Sequence, residues 1–416
     1  KKLTFILATA LMMTACATNT VEEKEAKVPA IDKNNFDESI NLKDDFYQWA
    51  TGGWQKNNPL KPEFSRYGSF DVLRENNEVR INELFGEMTK SKAKFGSVEQ
   101  KISDLYKMGL DEERLNKEGA EPIRSELDKI FATTDRDTLI ASIPTLHTDG
   151  IGVFFAAYPA ADLADSNMTI LYMEQGGLAM GNRDYYTDAQ NAEIKAAYRT
   201  YLKNIFTLAG VEGDVDAKVE NVLAVEDRIA QKHWTNVECR DIVKGYNPYT
   251  FADFKAEYKG VDWDAYFKAM GVENIDKLVV SQPSSFKNIL AVLNTASIEE
   301  LRDYVAAHYI DAATSYLSEE FALASFEFFG KTMSGTEEIR PRWKRAMSVP
   351  NSILSEAVGQ IYVAKYFPES EKARVEGMVS NIQKAFSKHI EALDWMSAET
   401  KAKAQEKLAA FTVKIG

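Results

Sequence analysis

Apolar residues return at three- and four-residue intervals through most of this chain, and that period is the strongest constraint on its fold. Between residues 375 and 393, Val375, Met378, Val379, Ile382, Phe386, Ile390 and Leu393 draw one stripe along a helix. A stripe of that spacing is expected to be buried. Start signals agree with the period. Ser97 with Gln100 and Ser297 with Glu300 have capping-box spacing, in which two side chains satisfy free backbone donors reciprocally. Helices are therefore expected over 98–110 and from 298 onward, and Ser397 is placed to cap another. The same reading gives helices at 120–132, 136–148, 189–210, 214–233, 250–257 and 353–366. One region departs from it: two β-prone runs, 153–158 and 168–174, flank the turn formers Asp165, Ser166 and Asn167 and predict a β-hairpin. No internal repeat of fixed period is visible. The expected fold is mainly α, a large multi-helical domain with a small β-hairpin.

At 416 residues and 45% hydrophobic composition, the chain is long enough to bury a sizeable core. A net charge of −13 argues against nucleic acid as a partner, because phosphate binding needs clustered Lys and Arg. At the start, "KK" precedes the apolar run "LTFILATALMMTA" and then Cys16. A basic region followed by a run too short to span a bilayer has the form of an export signal. The ending "MTAC" is similar to a bacterial lipoprotein box, with Met13 where Leu is usual. That makes residues 1–15 a lipoprotein-type signal peptide, Cys16 a lipidation site and 16–40 a flexible tether, and it expects an exported cell-envelope lipoprotein. A plain signal peptide cut near "ATA" is the alternative. Only one other cysteine exists, Cys239, and it is expected to be a buried structural thiol.

Catalytic constellations are scarce. The four histidines stand in "LHTDG", "KHWTN", "AHYID" and "KHIEA", and none has the His-Glu-x-x-His spacing that puts two imidazoles on one helix face. There is no nucleophile elbow, P-loop or dinucleotide fingerprint. With 63 acidic residues, adjacent carboxylates such as Asp44 with Asp45 mark solvated faces. Arg66 and Arg74 are the more informative groups, since a guanidinium offers a rigid fork of donors to a carboxylate. Asp71 lies between them. Either it holds one arginine in position for a ligand, or the three form a surface ion network.

Six segments carry a family resemblance: "DDFYQWATGGW" (44–54), "SRYGSFDVLRE" (65–75), "GLAMGNRDYYT" (177–187), "WTNVECRDIVKGYNPYT" (234–250), "RPRWKRAMSVPNSILSEAVGQIYV" (340–363) and "LDWMSAETKAKAQEKL" (393–408). In this order the chain resembles the neprilysin and endothelin-converting-enzyme family of zinc metalloendopeptidases, including its bacterial oligopeptidases, from about residue 41 onward.

The resemblance implies the helical half of a two-domain peptidase enclosing a chamber that admits only small peptides. The family's zinc ligands, its His-Glu-x-x-His, its Glu-x-x-x-Asp and its Asn-Ala-aromatic segment are absent from this sequence. Zinc is therefore the expected cofactor of the full-length enzyme, with its ligands in a missing carboxy-terminal catalytic domain and no catalytic or metal residue here. By the same resemblance Arg66 and Arg74, with Asp71 between them, line a primed-side subsite for a substrate carboxylate. Phe70 helps wall the pocket for the side chain after the scissile bond. Ala346 stands where the family's animal members carry Cys. The implied organisation is a segment 41–75 that docks on the catalytic half and lines the substrate site, then a helical chamber domain, 76–416. A non-enzymatic peptide-binding or scaffolding lipoprotein is the second reading, with small peptides and the membrane as partners in both.

Overall fold

A computed structural model describes residues 29 and 31–416. The expected signal segment, Cys16 and most of the expected tether lie outside the described residues. The chain divides into two compact units, one ending at Leu60 and one spanning Lys61–Gly416.

The first unit is built on helix α1 (Phe46–Asn57), whose Asp45 cap accepts the Gln48 amide at 2.8 Å. A short turn, Lys33–Asn35, leads into a segment lying against it. Phe36 stacks on Trp49 with ring centres 4.5 Å apart, the Asp37 amide donates to the Trp49 carbonyl at 2.7 Å, and Lys56 pairs with Asp37 at 2.7 Å. The glycines of "ATGGW" permit this. A Cβ on Gly53 would stand 2.4 Å from the Asn34 carbonyl oxygen and 2.6 Å from that of Phe36. Residues 33–37, expected within a flexible tether, are thus packed on α1. The period-based reading could not see this, because a contact between two segments leaves no period in either.

The second unit follows the helical pattern. Helices α2 (Ser69–Lys90), α3 (Val98–Leu110), α4 (Glu112–Glu118), α5 (Glu121–Ala132) and α6 (Arg136–Thr148) precede the hairpin. After it come α7 (Asp184–Thr187), α8 (Ala192–Leu208), α9 (Val215–Ala230), α10 (Phe251–Glu257), α11 (Trp263–Ala269), α12 (Pro283–Thr295), α13 (Ile298–Ala313) and α14 (Glu319–Ser325). A π-helical stretch, Phe326–Met333, leads to α15 (Arg342–Ile353), α16 (Ser355–Tyr366), α17 (Glu369–Ala392) and α18 (Ala398–Ala409). The capping signals at Ser297 and Ser397 operate: Ser297 and Glu300 bond reciprocally at 2.7 and 3.1 Å, and Ser397 accepts the Thr400 amide at 3.2 Å. Ser97 accepts the Gln100 amide, but Gln100 turns back to the Gly96 amide instead.

The expected hairpin exists as β1 (Phe155–Ala161) and β2 (Thr169–Gln175), paired from Phe155↔Gln175 to Ala161↔Thr169. It is half of a four-stranded sheet of order β1-β2-β4-β3. Strand β4 (Lys277–Val280) runs parallel to β2, and β3 (Pro248–Thr250) closes the other edge. These two strands have three and four residues, too few to show a period of two, and only long-range pairing makes them strands.

Two apolar cores matter for the site. The larger gathers α5, α6, α8, α9, α12 and α13 around the sheet, with Phe154, Ile205, Val222, Leu278 and Ile289 fully buried. The smaller joins Leu84 and Phe85 of α2, Ile102 and Tyr106 of α3, Met347 of α15 and Val358 of α16. Ala346 contributes here as well: a Cβ on Gly109 would come within 3.0 Å of its Cα, so α3 and α15 touch almost backbone to backbone. Helix α2 is continuous through residues 75 and 76, where the sequence reading separated two segments.

The expected burial of the last long stripe is overturned. The stripe on α17 is not buried: Met378 is 57% exposed, Ile382 66% and Phe386 53%, and Ile390 alone is buried. Its period identified an amphipathic helix correctly, but within this unit α18 is the main neighbour packed on it, and α18 leaves that face open. No helix among the described residues is long and apolar enough to cross a membrane.

Candidate substrate-binding site

The four residues singled out by sequence lie on the loop before α2 and on its first turns. Asp71 starts the helix: its Oδ2 accepts the Gly68 amide at 2.9 Å, while its Oδ1 accepts Arg74 Nη2 at 3.0 Å. A carboxylate one turn into a helix also opposes the positive end of the helix dipole. Arg74 is held a second time, with its guanidinium 5.0 Å from the centre of the buried Phe64 ring. Arg66 is exposed and has no hydrogen bond or ion pair among the described residues. Phe70 is 85% exposed. The structure therefore joins Asp71 to Arg74, leaves Arg66 apart from that pair, and presents Phe70 to solvent.

Beneath them lies a charge cluster that sequence reading did not find. Lys344 on α15, its side chain only 8% exposed, reaches Glu63 at 2.6 Å, Glu75 at 3.7 Å and Glu78 at 3.8 Å. Glu75 also takes Lys61 at 2.7 Å and the Tyr67 hydroxyl, and Glu78 takes Arg340 at 2.5 Å. Burial raises Glu75, but hydrogen bonds from Lys61 and Tyr67 outweigh it and hold its carboxyl below the ordinary range. The hydrogen bond to Glu75 raises Lys61; burial, then Glu75, raises Tyr67. In sequence Lys344 is one cation in the basic run "RPRWKR", and Glu63 lies 281 residues away.

The histidines are engaged elsewhere. His147 bonds the Tyr266 hydroxyl at 2.7 Å and the Val153 carbonyl at 2.9 Å, and burial lowers it. Burial, partly offset by a backbone hydrogen bond at Gly176, pushes His233 down to about 4. His308 sits 2.9 Å from the fully buried Glu226. Glu226 also accepts the Tyr186 and Tyr198 hydroxyls and the Ala179 amide, which is how "GLAMGNRDYYT" is anchored. His389 is exposed. Among the described residues no three His, Cys, Asp or Glu side chains come together to hold a metal ion, so these side chains do not fit a zinc site. Cys239, expected to be buried, is exposed in a surface turn, with Sγ 3.6 Å from Gln175 Nε2. It lies in a short turn of the loop between α9 and β3, outside the helical period that would have buried it.

A family model described as Peptidase family M13 matches residues 42–416. The chain belongs to peptidase family M13. It is 27% identical over 401 residues to endothelin-converting enzyme 1 of Rattus norvegicus, covering 92% of this chain and 52% of that protein. It is 26% identical over 377 residues to the neutral endopeptidase of Lactobacillus helveticus, covering 90% and 58%. Among solved structures it is similar to the Mycobacterium tuberculosis zinc metalloprotease Zmp1 in complex with an inhibitor. That match has a TM-score of 0.87 and 30% identity, covering 94% of this chain and 60% of the other. The fold is shared with PepO from Lactobacillus rhamnosis at a TM-score of 0.77 and 24% identity, over 89% and 59% of the two chains. The chain spans about half the length of the curated relatives it matches.

Proposed function

We propose that this chain is the substrate-facing amino-terminal region of a zinc metalloendopeptidase that hydrolyses small peptides, exported and tethered to the cell envelope by a lipid on Cys16. Membership of a peptidase family supports the reaction class. The observation that carries the site is the division of labour among the arginines. Asp71 commits one oxygen to the helix start and the other to Arg74, which leaves the exposed Arg66 fork uncommitted. A peptide's terminal carboxylate suits that fork, and the exposed Phe70 ring suits the apolar side chain following the scissile bond. The open apolar face of α17 supports a second domain as its cover, which in this reading holds the zinc and its ligands. A zinc ion held there, outside the residues described above, would supply Lewis-acid chemistry. The residues described above bind and orient the peptide.

The test uses the complete gene product and one short peptide made with a free or an amidated C-terminus. Arg66→Ala is expected to raise KM for the free acid about tenfold more than for the amide, the worth of one charge-assisted pair. Equal effects on both peptides overturn the clamp. Activity that survives a zinc chelator overturns the reaction class, and Cys16→Ser leaving the protein in the membrane fraction overturns the anchor.

A further inference from the structure

The geometry points to Lys344 as the positioning residue of this site: a buried ammonium that fixes the loop carrying Arg66 and so sets selectivity for a free carboxylate. This rests on the reading of Arg66 as a carboxylate clamp. Arg66 lies in the irregular segment before α2, where no helical hydrogen bonds hold it. A clamp misplaced by about 1 Å loses most of its value, so something must immobilise that loop.

Both sides of the loop lead to Lys344. Three residues before Arg66, Glu63 contacts the ammonium directly at 2.6 Å. One residue after it, the Tyr67 hydroxyl donates to Glu75, which stands 3.7 Å from the same ammonium. Between them Phe64 is buried, its ring 5.2 Å from that of Tyr67 and 5.8 Å from the Lys344 ammonium. Glu75 adjoins Arg74, and Glu78 lies one turn further, so the group that holds the loop also holds the opening turns of α2. Three cations, Lys61, Arg340 and Lys344, meet three carboxylates, Glu63, Glu75 and Glu78. Charge is balanced but not in surplus: Glu63 Oε2 and Glu78 Oε2 are buried without a hydrogen bond. Without Lys344, Glu63 loses its ion pair and is driven outward to water, taking Arg66 with it. A buried ion cluster is a weak stabiliser compared with apolar packing of the same volume, whereas it defines one geometry well.

The experiment compares Lys344→Met, Lys344→Arg, Tyr67→Phe, Glu63→Gln and Arg66→Ala in the complete gene product, with kcat and KM for the free and amidated peptides. Lys344→Met is expected to raise KM for the free acid about ten- to a hundredfold, with kcat unchanged and the amide within about twofold. Lys344→Arg restores part of the loss, Tyr67→Phe shifts KM the same way by a smaller factor, and Lys344→Met adds little to Arg66→Ala in the double variant. If Arg66→Ala discriminates between the peptides and Lys344→Met does not, the positioning role is overturned while the clamp stands. If Arg66→Ala does not discriminate, the clamp fails and the inference falls with it. Should Lys344→Met fail to fold by circular dichroism, Tyr67→Phe and Glu63→Gln decide, and an unselective KM change in both overturns the role.

Discussion

The ammonium of Lys344 lies 2.6 Å from Glu63 Oε1, although 281 residues separate the two in sequence. Both side chains are largely withdrawn from solvent, at 8% and 15% exposed. The contact ties the loop before α2 to α15.

Removing one partner of such a pair leaves the other uncompensated, which typically costs about 3–5 kcal/mol. Lys344→Met is therefore expected to lower unfolding free energy by about that amount, read from the urea midpoint. Lys61→Met, which removes an exposed partner of Glu75, is expected to cost less than about 1 kcal/mol.

Gly53→Ala places a methyl 2.4 Å from the Asn34 carbonyl oxygen, and the obstacle is backbone rather than a movable side chain. Overpacking of this kind costs about 1–3 kcal/mol. The expected local outcome is that residues 33–37 leave α1, seen as lost hydrogen-exchange protection at the Asp37 amide, which now bonds the Trp49 carbonyl. Retained protection refutes the account of the paired glycines.

Acid should weaken the fold in two windows. His233 is pushed down to about 4 from an ordinary 6.5, so the folded state prefers the neutral ring. Its contribution is complete above 6.5 and declines as pH falls toward 4. Asp162 is held at about 2, below its ordinary 3.8, by hydrogen bonds from Lys277, Tyr246 and the Ala164 amide. That contribution is present above 3.8 and is lost as pH falls through 2. In melting temperatures measured against pH, His233→Gln is expected to flatten the upper window and Asp162→Asn the lower one.

Exposure of the α17 stripe makes a further prediction. Ile382→Lys changes a side chain that is 66% exposed, so the melting temperature of this chain should move by only about 1 °C. Binding of an apolar dye such as ANS should fall. A large loss of stability would mean that the face is covered.

Local signals were read well where they are repeated. The helices at 98–110 and 136–148, the Ser297–Glu300 box and the β1–β2 hairpin each rest on a period or a cap contained within a few residues. In the candidate site the sequence set Asp71 between Arg66 and Arg74 without deciding which it holds; helix α2 decides, because Arg74 lies one turn further on. Lys344 was not legible, since nothing near it in sequence distinguishes a cation enclosed by three carboxylates from Arg340 and Arg345 beside it, which each pair with one. Strand β4 was missed for the same reason: its partner is β2, more than a hundred residues earlier.

By itself the sequence determined the helical class, the caps, the hairpin and, through six collinear segments, the family. Those features are encoded by spacing, and spacing survives without a folded chain. Tertiary structure alone decided which amphipathic faces are covered, which charges are buried together, and that the α17 stripe stays open. Burial belongs to pairs of elements and not to any one of them, so the physical meaning of Lys344 or Ile382 exists only once its neighbours are in place.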